Sequence, residues 1–273
     1  MVAVTTPKVH MGTLTGGEAR GILGLNPVIL IPLGSHEDQG PHAPMGDHIL
    51  AAAIAEAAAL GATALGTRTL VAPLVPFGAA DWFGSMPGGI ALSHATFKGL
   101  VGDIVGSLHR NGLTRLVFVN GHGGNAGPLL EVARRVRQET GHLVPGLYLW
   151  KIAYALLPGI VGAEAARKVS GHGADPLTSL GLHLVPGMMR PDLVAAPEPY
   201  KPDRLLDLPV SGMGALSFDG AEVSVPHDYD EVFTRGVGLG DPRLSSAETG
   251  AALAERLADV VARFAVHFAG TVA

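Results

Sequence analysis

The feature of this sequence that most limits its fold is the alternation of short apolar runs with longer helix-forming segments. The first run, Val28–Leu33, is continuously apolar and is followed by Gly34 and Ser35, which is typical of a buried strand leading into a loop. Similar runs predict three further strands, at residues 69–76, 113–119 and 143–150. Helices are predicted after the first three strands, over residues 47–60, 93–111 and 126–140.

This alternation predicts a mostly parallel sheet covered by helices on both faces. In such sheets ligands bind beyond the carboxyl ends of the strands, and the loops after the first three strands emerge at that edge. Residues 186–229 are rich in Pro, Gly and Asp and predict an irregular segment or a small hairpin layer. Residues 246–269 predict a long amphipathic helix. We expect residues 1–273 to form a single domain.

Composition excludes several classes of function. The net charge is −5 and the basic residues are scattered, which argues against nucleic acid as a partner. The absence of cysteine excludes disulfides and thiolate metal sites. The apolar runs are strand-sized, and Met1–Met11 lacks the features of a signal peptide. We therefore expect a cytoplasmic protein with no membrane segment.

The loop after the first predicted strand carries an unusual density of possible metal ligands. Within Gly34–His48 lie His36, Glu37, Asp38, His42, Asp47 and His48. Any one of them could cap a helix, as Asp47 could for the helix that follows, or face solvent. As a cluster beyond a buried strand, they predict a metal site.

The loop after the third strand reads Asn-Gly-His-Gly-Gly-Asn, from Asn120 to Asn125. Glycines on both sides of His122 allow a tight turn that leaves the imidazole accessible. A metal ligand is the first interpretation of His122, and an Asn125 helix cap is the second. Phosphate binding ranks third, because the dinucleotide glycine pattern and the Walker lysine are both missing.

A third segment, Ser170–Ser179, again places a histidine, His172, between two glycines. With Asp175 as its carboxylate partner, His172 could serve as a general acid/base or as a further metal ligand. Asp175 could equally cap a helix with Pro176 at its first position. The chain has no Gly-x-Ser-x-Gly elbow, which disfavours a serine hydrolase.

Taken in order, these motifs resemble the creatininase (creatinine amidohydrolase) family. The motifs that carry the resemblance are Glu37…Gly40-Pro41-His42…Asp47, Asn120–Asn125, His172 near Thr178-Ser179, and the tail Gly236–Gly250. The resemblance implies a three-layer α/β/α fold, often assembled as hexamers, with one or two zinc, manganese or iron ions. It also implies opening of cyclic amides or cleavage of related C–N bonds, and some members act on formamides, peptides or cyclitol ketones.

Carried over by position, the resemblance makes Glu37 and His122 ligands of a first metal and Asp47 the carboxylate that bridges two metals. His172 matches the histidine implicated in catalysis. The departures from the family pattern include two at metal-binding positions: Gln39 stands where a second-metal histidine is usual, and Gly124 stands where creatininase has a glutamate. These departures indicate either a single-metal site or a second site rebuilt from Gln39, His48 or Asp175.

The resulting hypothesis is hydrolysis of a small polar, cyclic amide by metal-activated water. His172, with Asp175, would deliver a proton to the leaving atom. The residues expected to contact the substrate are His42, Trp82, Gly123, Gly124 and Asn125. Two alternatives remain, namely hydrolysis of a cyclic polyol ketone by the same site and a non-catalytic ligand-binding protein.

Overall fold

The computed structural model describes residues 7–197, 204–212, 214–228, 231 and 240–271. Within these ranges the central sheet has four parallel strands in the order β2-β1-β3-β4. They are β1 (Val28–Leu33), β2 (Thr69–Val71), β3 (Leu116–Asn120) and β4 (Gly146–Tyr148). The predicted parallel sheet is confirmed.

Helices cover both faces of this sheet, because alternate residues of each buried strand point to opposite sides. Val28 and Leu30 of β1 belong to the core on one side, whereas Ile29 and Ile31 belong to the core on the other. The first core also contains residues of α2 (His48–Ala64), α5 (Leu149–Val161), α6 (Ala163–Val169), α7 (Leu177–Leu184) and α8 (Ala247–Thr271). The second contains residues of α1 (Gly16–Leu23), α3 (His94–Arg110) and α4 (Ala126–Thr140). The three-layer α/β/α architecture is therefore confirmed.

The strand order explains where a ligand can bind. From β1 the chain crosses to β2 on one side and then returns to β3 on the other side of β1. The connections therefore run to opposite sides of β1, which leaves a crevice beyond the carboxyl ends of β1 and β3. The loops that begin at Gly34 and Gly121 both open into it.

Two predicted strands end earlier in the structure. Strand β4 ends at Tyr148, and the predicted strand residues Leu149 and Trp150 instead begin α5. The second strand ends at Val71, after which an isolated bridge pairs Val75 with Leu33. Both differences lie at the edge where the strands give way to the loops of the crevice.

A second, antiparallel sheet occupies much of the region predicted to be an irregular segment or a hairpin layer, so the hairpin layer is the correct alternative there. Its strands, in the order β5-β6-β7-β8, are Arg204–Leu205, Leu208–Gly212, Ala215–Phe218 and Ala221–Ser224. Val210 of β6 packs against a small cluster formed by Ala80, Phe83 and Met86. This sheet therefore adjoins the loop that follows β2.

Parts of some predictions fall outside the described residues, namely residues 1–6, 198–203, 213, 229 and 236–239. The expectation of a single domain stays a prediction. Among the described helices, none combines the length and the apolar character needed to cross a membrane.

Candidate metal centre

Three buried side chains from the two loops of the crevice meet beyond the ends of β1 and β3. Glu37 and Asp47 come from the loop after β1, and His122 comes from the loop after β3. One ligand atom from each residue lies within 4.8 Å of the other two. The predicted convergence of these three residues is thus observed in the structure.

The spacing of the ligand atoms fits a divalent metal ion. His122 Nδ1 lies 3.2 Å from Glu37 Oε2 and 3.2 Å from Asp47 Oδ2. Ligands about 2.0–2.1 Å from a tetrahedral zinc are roughly 3.3 Å apart. The donor set of imidazole and carboxylates suits zinc and also accepts manganese or iron.

The electrostatics of this group also favour a cation. Burial, and then the charge of Glu37, raises the pKa of Asp47 to about 6. Burial opposes ionisation of Glu37 as well, but the charge and hydrogen bond of His122 hold the Glu37 pKa below its ordinary value. Burial likewise disfavours the charged form of His122, yet the two carboxylates raise its pKa well above 6.5. Two carboxylates buried together need a positive partner, and a divalent ion would neutralise both.

Neighbouring groups hold the two carboxylates in place. The Ser35 backbone N–H donates to Asp47 Oδ1 at 2.8 Å, and the Ser35 hydroxyl donates to Glu37 Oε2 at 2.6 Å. Gln39 Nε2 donates to Glu37 Oε1 at 2.9 Å. Such outer contacts orient the ligands of a metal site. The close approach also requires Gly34, because a Cβ there would lie 2.6 Å from Asp47 Oδ1.

Asn125 joins three loops around the centre. Its Oδ1 accepts from the Ala79 N–H at 2.8 Å, and its Nδ2 donates to the Gly34 carbonyl at 3.0 Å and to Asn120 Oδ1 at 3.3 Å. The side chain is fully buried and makes no capping bond to α4. The structure therefore places Asn125 as a link between loops, and not at the cavity wall, where its substrate contact was predicted.

Glu37, Asp47 and His122 line a cavity of about 330 Å³. Of the residues predicted to contact substrate, Trp82, Gly123 and Gly124 lie on its wall. Three further aromatic residues that were not predicted also line it, Tyr148, Trp150 and Tyr154. Tyr148 and Trp150 were assigned to the end of a predicted strand that was extended too far, and Tyr154 lies beyond that strand, in α5. Gly214, beside the second sheet, also lines the cavity.

His172 reaches the same cavity from the loop before α7. Its Nε2 donates to the Asp38 carbonyl oxygen at 2.7 Å, and its ring stacks on Phe83 with 4.5 Å between centroids. Burial lowers the pKa of His172 below its ordinary value. Burial thus favours the neutral form of the ring, and the bond to the Asp38 carbonyl places its proton on Nε2.

Of the two roles predicted for Asp175, the structure shows the contacts of the one at a helix start. Its carboxylate accepts from the Ser179 backbone N–H at 3.0 Å and from the Ser179 hydroxyl at 2.8 Å. These bonds tie Asp175 to the first turn of α7, which begins at Leu177 with Pro176 in the cap position. The Asp38 carbonyl takes the place beside His172 that was predicted for Asp175.

Two other predicted residues lie outside the cavity wall. His48 Nδ1 lies 2.8 Å from the Ser35 carbonyl oxygen, and His42 Nε2 lies 2.9 Å from Thr178 Oγ1. Burial lowers the pKa of both histidines. These contacts brace the first loop internally and against α7, so the structure brings neither His42 nor His48 into the group formed by Glu37, Asp47 and His122.

Comparison with known proteins places these observations in a family. The family model described as "Creatininase: Creatinine amidohydrolase" matches residues 12–265. A protein of Mycobacterium ulcerans (strain Agy99) named mycofactocin precursor peptide peptidase is 30% identical over 246 residues, which cover 88% of this chain and 85% of that protein. The protein of the same name from Mycolicibacterium smegmatis is 34% identical over 131 residues, which cover 47% of this chain and about half, 51%, of that protein.

Solved structures agree with the family match. A crystal structure of creatinine amidohydrolase (creatininase) superimposes with a TM-score of 0.75 at 25% identity, covering 94% of this chain and 96% of that one. A creatininase structure of Zn-Zn type and a manganese creatininase have TM-scores of 0.75 and 0.73, at 25% and 26% identity. Each covers 94% of this chain and 97% of the other.

Proposed function

Because this chain belongs to the creatininase family, we propose that it is a metal-dependent hydrolase that cleaves the C–N bond of a small polar, cyclic amide. The observation that carries the proposal is the buried group of Glu37, Asp47 and His122 at the wall of a cavity of about 330 Å³. A cavity at the low end of the range for small-molecule sites suits a compact substrate.

The chain's own residues would position the amide and move a proton. A divalent ion held by Glu37, Asp47 and His122 would supply Lewis acidity and an activated water when bound. The backbone N–H groups of Gly123 and Gly124 would donate to the substrate's carbonyl oxygen as negative charge develops there.

His172 is the group that would carry the proton. With Nε2 bonded to the Asp38 carbonyl, its neutral ring would take at Nδ1 the proton that the attacking water releases and deliver it to the leaving nitrogen. Trp82 and the neighbouring aromatic residues would contact the faces of the planar amide and exclude water.

A second candidate is cleavage of a peptide bond near a chain end. It is supported by the relative that is 30% identical over 88% of this chain and is named as a peptidase of a precursor peptide. A cavity of this size would accept one or two residues of such a peptide.

A screen of three substrate panels separates these candidates. Zinc-loaded and manganese-loaded protein would be assayed against cyclic amides, short peptides and cyclic polyol ketones, with His122→Ala as the control. We expect turnover in the cyclic-amide panel. Turnover confined to peptides would favour the second candidate, and turnover confined to ketones would favour C–C or ring-opening hydrolysis. Metal retention without turnover in any panel would indicate a non-catalytic ligand-binding protein.

The proposal includes an assembly of several copies, as implied by the family pattern. Light scattering of the purified chain would measure its mass, and a monomer would remove this part of the proposal without affecting the site.

A further inference from the structure

Gln39 has a buried polar atom that the described structure leaves without a partner. The residue is only 2% exposed and lines the cavity beside Glu37. Its Nε2 donates to Glu37 Oε1, whereas its Oε1 has no hydrogen-bond partner among the described residues. Buried polar groups are rarely left unpaired, so an unpaired one beside a reactive group calls for a functional explanation.

The orientation of the Gln39 amide is fixed by chemistry. Exchanging its nitrogen and oxygen would set a carbonyl oxygen against the Glu37 carboxylate, where two acceptors repel. The amide must therefore direct N–H at Glu37, which leaves Oε1 as the unpaired acceptor of a residue that lines the cavity. This acceptor lies beside Glu37 Oε1, whereas Glu37 Oε2 is the oxygen that faces His122.

A second metal ion is a poor explanation for this acceptor. Glu37 and Asp47 carry the two negative charges that one divalent ion neutralises, and a second ion would leave an uncompensated positive charge beside an apolar wall. A neutral amide oxygen is a weak ligand for zinc. Gly124 supplies no ligand for a second ion, and the site has no room for a side chain at this position. A Cβ there would lie 2.1 Å from the Ala79 carbonyl oxygen and 2.7 Å from His122 Nε2.

We infer that Gln39 determines substrate specificity by accepting a hydrogen bond from a substrate N–H group at Oε1, next to a centre that holds one ion. The inference rests on the proposed amide chemistry, since amides present an N–H beside the carbonyl group that reacts. It assigns to Gln39 a preference for amides that carry a hydrogen on nitrogen over amides that are N-methylated.

The test compares matched probe pairs on the zinc-loaded full chain. The pairs are succinimide with N-methylsuccinimide, and glycylglycine with glycylsarcosine. Affinity is measured by calorimetry, or as KM where a compound is turned over, and zinc per chain is measured by elemental analysis. We expect one zinc per chain and, for at least one pair, an affinity about tenfold higher for the N–H member, the scale of one hydrogen bond.

Two variants locate the origin of that preference. Gln39→Met keeps the side-chain volume but removes the acceptor, so it should reduce the preference to less than about twofold. Ser35→Ala removes a different hydrogen bond to the same Glu37 carboxylate and leaves Oε1 in place, so it should keep the preference. Loss of the preference in both variants would mean that Gln39 acts only through Glu37, and would overturn the inference.

Other outcomes are equally decisive. Equal affinity within both pairs, or no binding of any probe, overturns the inference. Two zinc ions in the wild type and one in Gln39→Met would make Gln39 a metal ligand, and would also overturn it. A clear N–H preference without hydrolysis of any amide would instead remove the proposed function and leave the role of Gln39 standing.

Discussion

His122 and His172 each lie between two glycines, in loops that reach the same cavity, yet the polar groups that face their rings differ. His122 Nδ1 faces two buried carboxylates, whereas His172 stacks on Phe83 and donates to a backbone carbonyl. The carboxylates raise the pKa of His122, and burial lowers the pKa of His172. The same local sequence therefore places one histidine against two carboxylates, where we propose a metal ligand, and the other against a backbone carbonyl, where we propose a proton carrier.

Even the glycines serve different purposes in the two loops. A Cβ on Gly121 would lie 2.8 Å from the Ala51 side chain, so that glycine permits close packing on α2. Gly173 has a φ of +71°, so it permits a left-handed backbone. The Gly-His-Gly pattern thus indicates an accessible histidine, but the groups that approach from elsewhere in the fold decide its chemistry.

The largest expected effect tests the His122 side of this comparison. Replacing His122 by alanine removes one of three ligands and leaves two buried carboxylates facing each other. We expect bound metal and turnover to fall to background, as measured by elemental analysis and by assay of the substrate found in the screen. Stoichiometric metal in His122→Ala would show that this histidine is not a ligand.

The matching change on the other side is His172→Ala. We expect kcat to fall by roughly 10²–10⁴-fold, the usual contribution of a positioned acid/base. The metal content should stay at the wild-type value, because His172 is not in the ligand group. Loss of the metal in this variant as well would erase the distinction between the two histidines.

A third prediction separates His172 from the aspartate near it in sequence. Asp175 is bonded to Ser179, so Asp175→Ala should lower the free energy of unfolding by about 1–2 kcal/mol through loss of a helix-start acceptor. Denaturant titration measures this change, and Asp175→Asn, which keeps one acceptor, should lose less. If Asp175→Ala instead reproduced the kcat loss of His172→Ala with unchanged stability, Asp175 would be part of the proton path.

The smallest expected effect concerns the ring that covers His172. Burial lowers the pKa of His172, so Phe83→Leu, which exposes the imidazole further, should raise that pKa towards its ordinary value. In the proposed mechanism the neutral form of His172 is active, so activity should be lost at a higher pH as the solution is acidified. The acid limb of the kcat/KM profile reports this shift, and a shift to lower pH would contradict the assignment.

The centre could be predicted from sequence because both of its loops follow continuous apolar strands. Val28–Leu33 and Leu116–Asn120 are buried along their whole length, and parallel neighbours bring their loops together at one edge. The loop after β1 offered six ligand-type residues, and the family resemblance selected Glu37 and Asp47 from them to join His122.

The rest of the site depends on contacts that leave no local signal. The Asp38 carbonyl that orients His172 is a backbone group, which every residue of the chain carries. Trp150 was assigned to a strand, and only the fold shows it at the start of α5, where its indole N–H donates to the Gly121 carbonyl. Element boundaries are the least reliable part of a prediction from local sequence, and the contact with Gly121 comes from another loop.

Asn125 has a consequence for how quickly the centre exchanges its ion. One amide group ties together the loops that begin at Gly34 and Asn120 and the loop that contains Ala79. A ligand loop cannot swing outward without breaking bonds shared with the other two, so opening is a single cooperative fluctuation. We therefore expect a chelator to remove the ion at a rate that becomes independent of chelator concentration, set by the protein's own opening. Asn125→Ala removes the amide link. In this variant the ion should be released faster, at a rate that increases with the concentration of chelator.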